Sequence, residues 1–292
     1  MKTFNALVLF FFLSSQIYGQ EKPDNQSRAL RTNGIKTVKK FLLQANPRTQ
    51  KVDTFLVSLR HVNKYGLHTK ELLYDTSGRV ISEYFAKYQN DSLIIESKSS
   101  MPDLKIVFEY NDKNQIKNEK TFLSGKLSAI KNYYYKNDSL DKTEKYYLKD
   151  KSKNVSGSFE RNTFVYDREN DMTTIKEEKS THRKNELIES NTIIRWSQDK
   201  RTQSFWVTDR MSPKWFMTER YINFKEEFKD TQEQFYRTNA FMNQEGMRIS
   251  LSKGDKLLKE NDRNANGLIK ETKIFRNNDL MVRYIYQYLT SE

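Results

Sequence analysis

From about residue 51 onward, the chain alternates apolar and polar positions with a period of two. Ile106, Phe108 and Tyr110 fall on one side of their segment, and Val107 and Glu109 fall on the other. Val80, Ser82, Tyr84, Ala86 and Tyr88 share a face in the same way. Alternation enriched in Thr, Val, Ile, Tyr and Phe predicts half-buried β-strands. The stretch before it differs. Residues 20–34 are polar, contain Pro23, Asn25, Ser27 and Gly34, and read as a mobile lead. Ile35, Val38, Phe41 and Leu42 then fall near one helical face. Asn33 stands as a cap and Asn46-Pro47 as a stop, so a short helix covering one end of a sheet is expected here.

A turn recurs between the strands. Its clearest copy is Leu73-Tyr74-Asp75-Thr76-Ser77-Gly78-Arg79-Val80. Others centre on Tyr110-Asn111, on Tyr135 with Asp138, and on Tyr166-Asp167. Tyr88 to Leu93 nearly duplicates the third, and Phe275 to Leu280 is a late, weaker copy. An aromatic residue ends one strand, and Asp or Asn bonds its own backbone to start the turn. Gly or Asn takes positive φ, and an aliphatic residue begins the return strand. Such a hairpin cannot bury its aromatic face alone, so neighbouring units must pair. Residues 177–250 lack the repeat. There Ile193, Ile194 and Trp196, then Phe205, Trp206 and Val207, predict two strands joined by polar residues 197–202. Tyr221, Phe224 and Phe228 fit a helix or a strand.

The Tyr-Asp-x-x-Gly-Arg-Val of residues 74–80 resembles the YD repeat of Rhs-type proteins exported by bacteria. The resemblance covers residues 65–176 best and residues 265–290 less well. It implies an antiparallel sheet that spirals or wraps. Only one copy keeps the Gly-Arg pair and the spacing is irregular, which favours an open or partly rolled sheet over a closed shell. The expected fold is therefore all-β: an antiparallel, repeat-built, extended or partly rolled sheet with a short N-terminal helix.

Composition narrows the setting. Aromatics make up 13% of residues, with 17 Tyr and 18 Phe against 9 Gly and 4 Pro, so the chain has rings to bury and is not read as disordered. Lys2, the apolar run from Ala6 to Leu13 and the small residues ending at Gly19 read as a secretory signal peptide. Residues 1–19 are assigned to it, 20–50 to the lead and helix, and 51–292 to the hairpin-repeat domain. The apolar run is shorter than the roughly 20 residues a bilayer requires. No transmembrane span is expected in the mature chain, which is placed in the periplasm or outside the cell. Cysteine is absent, which excludes disulfides, Cys-ligated metal and a lipoprotein anchor. The net charge is +13, but Lys alternates with Glu and aromatics as on the wet faces of strands. No nucleic-acid partner is expected; an envelope glycan or protein is.

Candidate chemistry is sparse, and no cofactor or catalytic residue is assigned. His61 and His68 lie seven apart around Tyr65-Gly66, and with His182 they lack a recognisable third metal ligand. Residues 262–269 match the first eight positions of a calcium loop, with Asp262, Asn264 and Asn266 as candidate ligands. The closing position is Lys273 rather than Glu, so Asn266-Gly267 reads better as a hairpin turn. Glu177-Glu178 and Glu226-Glu227 are adjacent pairs whose members point to opposite faces of a strand. Trp196, Phe205, Trp206, Trp215 and Phe216 form the aromatic group that contains tryptophan, and are the candidate binding residues for a sugar. Asp91-Ser92-Leu93 and Asp138-Ser139-Leu140 resemble a bacterial O-glycosylation acceptor. The expected function is that of a non-catalytic, exported binding or structural protein. The alternatives are a carbohydrate-binding or carbohydrate-active protein and a periplasmic carrier of an apolar ligand.

Overall fold

The computed structural model describes residues 25–45, 49, 51–148, 159–167, 172–180, 187–196, 202–209, 216–225, 229–236, 240–244, 247–251 and 254–290. One helix, α1 (Asn25–Thr32), precedes the strands. The first nine are β1 (Thr37–Ala45), β2 (Val52–Val62), β3 (His68–Tyr74), β4 (Val80–Gln89), β5 (Leu93–Ser100), β6 (Asp103–Tyr110), β7 (Ile116–Leu123), β8 (Lys126–Lys136) and β9 (Ser139–Tyr147). Next come β10 (Phe159–Asp167), β11 (Met172–Ser180), β12 (Leu187–Trp196), β13 (Thr202–Asp209), β14 (Phe216–Lys225) and β15 (Lys229–Tyr236). A separate hairpin of β16 (Ala240–Gln244) and β17 (Met247–Leu251) leads to β18 (Lys256–Arg263), β19 (Ile269–Arg276) and β20 (Asp279–Leu289). No helix among the described residues is long and apolar enough to cross a membrane.

Eighteen strands share one sheet, and every pairing is antiparallel. Each strand from β1 to β15 pairs with the next in the chain; then β15 pairs with β18, and β18 with β19 and β19 with β20 follow. β20 pairs back onto β1, from Thr37↔Leu289 to Leu43↔Arg283. The sheet is antiparallel and rolled, as expected, and the rolling runs until first and last strands meet. Among the described residues, every strand of the sheet pairs with a neighbour on both sides.

Burial identifies the concave side. Leu42, Ala86, Ile106, Ala129, Thr143, Phe164 and Tyr284 are all buried. Their register places them on one face; the row Ala86, Ser97, Ile106, Thr121 and Ala129 crosses five strands. The opposite face carries Phe85, Tyr134, Tyr146 and Val165, all exposed. Side chains on a concave wall converge and cover one another, whereas those on a convex wall splay into solvent. The buried face is therefore the inner one. Its largest apolar cluster joins Leu42, Val57, Leu257, Ile274, Val282 and Tyr284 where β1 meets β20 and their neighbours.

The N-terminal expectation needs correcting. The stretch read as helical from Ile35 is β1, and the helix lies earlier, within the segment read as a mobile lead. Gly34 at φ +63° ends α1, with Gly34 N–H donating to Arg31 O and Ile35 N–H to Leu30 O. That is a Schellman stop, so Gly34 and Ile35 close a helix rather than open one. Thr37 and Val38 then pair with both β2 and β20, and this tertiary pairing overrides the helical spacing. Tyr221 and Phe224 lie on strand β14, which settles their ambiguity, and Phe228 lies outside the described residues.

Helix α1 covers the seam. Leu30 packs with Ile35, Val38, Val62 and Leu268. Gln26 donates to the Tyr288 hydroxyl at 3.2 Å and accepts from Arg263 at 3.2 Å. Asn33 donates to the Asn266 carbonyl at 3.1 Å. The helix thus rests on turns 63–67 and 264–268, on either side of the β1–β20 join. Gly66 lies closest to it, since a Cβ there would overlap the Ser27 carbonyl oxygen.

Gly66→Ala is expected to unseat α1 and cost well over the roughly 1–2 kcal/mol of a left-handed alanine alone. Gly78→Ala is the control: its φ is +82°, against +77° at Gly66, but a Cβ there meets nothing. Thermal melts that shift equally for the two variants would refute the seating role.

Candidate functional site

The recurring turn takes two forms. In the five-residue form, Asn63, Asp75, Asn111 and Asn264 each accept a backbone bond from the residue four positions on, at 3.1, 3.0, 2.9 and 2.9 Å. Positive φ falls at Gly66, Gly78, Asn114 and Gly267, the fourth residue of each turn. Side-chain acceptors that replace a missing backbone partner explain the Asx residue at the first position. The two-residue form puts consecutive positive φ at Asn90-Asp91, Asn137-Asp138 and Asn277-Asn278, the twist that suits a tight hairpin. Asp138 departs from the expected self-bonding role. It pairs with Lys113 at 2.6 Å and its carbonyl accepts from Gln115, tying one turn to the next.

The aromatic before the turn has a more specific task. The Tyr88, Tyr110, Tyr135, Tyr166 and Tyr288 hydroxyls donate to the carbonyls of His68, Ile94, Ile116, Leu140 and Ile269, at 2.7–3.0 Å. In every case the acceptor is the first or second residue of the preceding strand. Each tyrosine thus pins the open end of a hairpin whose turn lies at the far end of the ring. Tyr74 ends an ascending strand at that far end and makes no such bond among the described residues. The most legible copy in the sequence is therefore out of phase with the ladder. Tyr288 was missed because no turn follows it.

The tryptophan group is spread over three neighbouring strands. Trp196 lies on β12 opposite Gln203, and Phe205 and Trp206 lie on β13 opposite Ile194 and Ile193. Phe216 pairs with Val207. Trp215 lies outside the described residues, as do residues 1–19, residues 168–171, His182, Glu226 and Glu227. Asp167 ends β10, in register with Met172.

The calcium reading yields to the hairpin. Asn264 and Asn266 side-chain oxygens accept from Leu268 N–H, and Asp262 pairs with Lys273 at 3.2 Å. An ammonium stands where the closing carboxylate would be. His61 contacts Thr37 at 3.4 Å, and no group of three metal-ligating side chains occurs among the described residues. Ser92 is exposed in its turn, while Ser139 is the half-buried first residue of β9.

Charge is organised differently on the two faces. Outside, lysines and glutamates interlock across strands. Lys105, Lys98 and Lys87 converge on Glu96 at 2.8, 3.4 and 3.5 Å, Lys120 pairs with Glu109, and Arg283 and Lys273 pair with Glu271. Glu144 is the most committed of these carboxylates. It accepts from Tyr134 and Tyr146 hydroxyls and Arg161, each at 3.0 Å, with Lys142 at 3.1 Å. Burial works to raise its pKa, but these partners together outweigh it and hold the carboxyl down at about 2. Tyr146 also stacks on Phe159 at 6.1 Å. Inside, Glu71 is buried and bonded to Ser58 at 2.7 Å and Arg60 at 2.6 Å. Burial works to raise its pKa too, and those partners bring it below the ordinary range. The inner face also carries Glu119, Lys131, Lys145 and Glu160, in register across β7 to β10.

No family model matches the sequence, and no curated protein matches it. Among solved structures, a porin-like protein from Bacteroides vulgatus ATCC 8482 is similar with a TM-score of 0.37 and 10% identity, over 74% of this chain and 96% of that one. A porin-like protein from Bacteroides uniformis ATCC 8492 gives 0.33 and 8%, over 87% and 98%. A protein of unknown function from Bacteroides fragilis NCTC 9343 gives 0.19 and 12%, over 53% and 87%. Likeness at this level says nothing about what the chain does.

Two measurements test the site's physical reading. Tyr135→Phe is expected to lower stability in urea by about 1 kcal/mol, the usual net worth of one hydrogen bond. Tyr74→Phe is expected to leave it unchanged, and equal losses would dissolve the ladder. Because the Glu144 pKa is depressed in the folded chain, its stabilisation is present above the ordinary value of 4.5 and fades as pH falls toward about 2. Glu144→Gln should therefore flatten the acid limb of the stability curve, and an unchanged limb would contradict the network.

Proposed function

We propose that the protein is a non-catalytic, exported binding or structural protein of the bacterial envelope, with the rolled antiparallel sheet as its working surface. The observation that carries this reading is the direction of the carboxylate shifts. Burial pushes Glu71, Glu96, Glu109, Glu144 and Glu271 upward, yet basic neighbours and hydrogen bonds hold all five below their ordinary range. A general acid needs the opposite shift, a carboxyl kept protonated near neutrality. These groups hold the wall instead. The signal-like N-terminus supports export, and the closed pairing supports a scaffold that survives outside the cell without disulfides.

The inner face bears on the alternatives. Arg60, Glu71, Glu119 and Lys131 would meet any apolar cargo with charge, which counts against the apolar-carrier reading.

Fractionation of the native host, followed by retention of the purified mature chain on immobilised envelope glycan and envelope protein, checks the proposal. The expected outcome is an envelope or extracellular protein retained by one of them, with no turnover of glycoside, ester, peptide or phosphate substrates. Turnover abolished by one carboxylate substitution would overturn it.

A further inference from the structure

Lys131 on β8 and Lys145 on β9 are direct register partners on the inner face. Like charges so placed repel. Their surroundings repeat about a local two-fold axis that passes between them. Glu119 on β7 flanks Lys131, and Glu160 on β10 flanks Lys145. Tyr133 stands two residues past Lys131, and Tyr147 two residues past Lys145, on opposite sides of the row. The Tyr133 hydroxyl donates to Glu119 at 3.0 Å, and the Tyr147 hydroxyl donates to Glu160 at 3.3 Å. Each ammonium lies over its own tyrosine, 5.0 Å from the Tyr133 ring centre and 4.9 Å from the Tyr147 ring centre.

The tyrosine hydroxyls engage the carboxylates, which attract the lysines from beyond ion-pair distance. Among the described residues, no carboxylate oxygen comes within 4.0 Å of either ammonium. This contrasts with the outer face, where lysines beside Glu96, Glu109, Glu144 and Glu271 are paired. Burial pushes the Lys131 ammonium below its ordinary range; Glu119 draws it back, and Lys145 pushes it down again. A half-buried pair of cations set opposite one another in register is complementary to one anion placed on the axis.

We propose that Lys131 and Lys145 form a binding site for an oxyanion, a carboxylate or phosphate group, on the inner face of the ring. Both ammoniums donate to the anion from either side of the axis, and the rings of Tyr133 and Tyr147 hold them in place. This goes beyond the binding-or-structural reading by naming a ligand class and the residues that take it.

Calorimetric titration of the full mature chain with sodium phosphate, sodium glucuronate and glucose, at fixed ionic strength, is the test. Phosphate or glucuronate is expected to bind and glucose is not; the anion that binds more tightly identifies the source. Lys131→Gln and Lys145→Gln should each weaken binding by about tenfold or more, as expected for loss of one charge-assisted bond, while Lys131→Arg retains it. Without anion, either Gln variant should melt at or above the wild type, because the repulsion is gone. Variants that bind unchanged, variants that melt lower without anion, or a wild type that binds neither anion would each overturn the site. If the site falls while retention on envelope material persists, only this inference is lost and the proposed function stands.

Discussion

The structure depends on the pairing of β1 with β20. Seventeen other pairings are local, each joining a strand to its neighbour in the ring order, but this one joins residues 37–43 to residues 283–289. Closing a flexible loop of roughly 250 residues costs about 5 kcal/mol of chain entropy by the logarithmic rule. The apolar cluster at the seam and the helix laid across it supply contacts that only the closed ring can make. Tyr284 and Val57 are fully buried there. Leu30 on α1 is 1% exposed. The N-terminal segment is thus part of the closure, which is why an eight-residue helix with polar ends is held so firmly.

The period-two alternation and the turn chemistry were legible in the sequence because both are local. Asp75 and Gly78 specify their turn within five residues, and Ile106 and Phe108 specify a strand face without reference to other strands. What was not legible depends on distant partners. Val38 and Phe41 have helical spacing, and only β20 and β2 make them a strand. The turns at Gly66 and Gly267 were legible, but the role of Asn63 and Asn264 as the Asx that opens each was not, although both follow the Asx-x-x-Gly rule. The Lys131–Lys145 pair gave no signal at all. The residues are fourteen apart in a lysine-rich chain, and only register brings them together.

Among the described residues, the outer wall mixes exposed rings such as Phe85 and Tyr134 with cross-strand ion pairs. Lys87, Lys105, Lys120, Lys142, Arg161 and Lys273 project from mid-strand positions into cross-strand ion pairs. A Lys or Arg facing lipid at the bilayer midplane costs about 2–4 kcal/mol. A ring of this many strands is wide enough to leave water inside.

The tyrosine ladder has a consequence for how such a chain can change. Each hydroxyl bonds within the hairpin to which it belongs, so a strand pair with its tyrosine is the repeating unit of the ring. Duplicating or deleting one such module would alter the circumference by two strands. The seam, the helix seat and the up-down polarity would be preserved. A chain altered in this way would differ in length and circumference while keeping both termini in place.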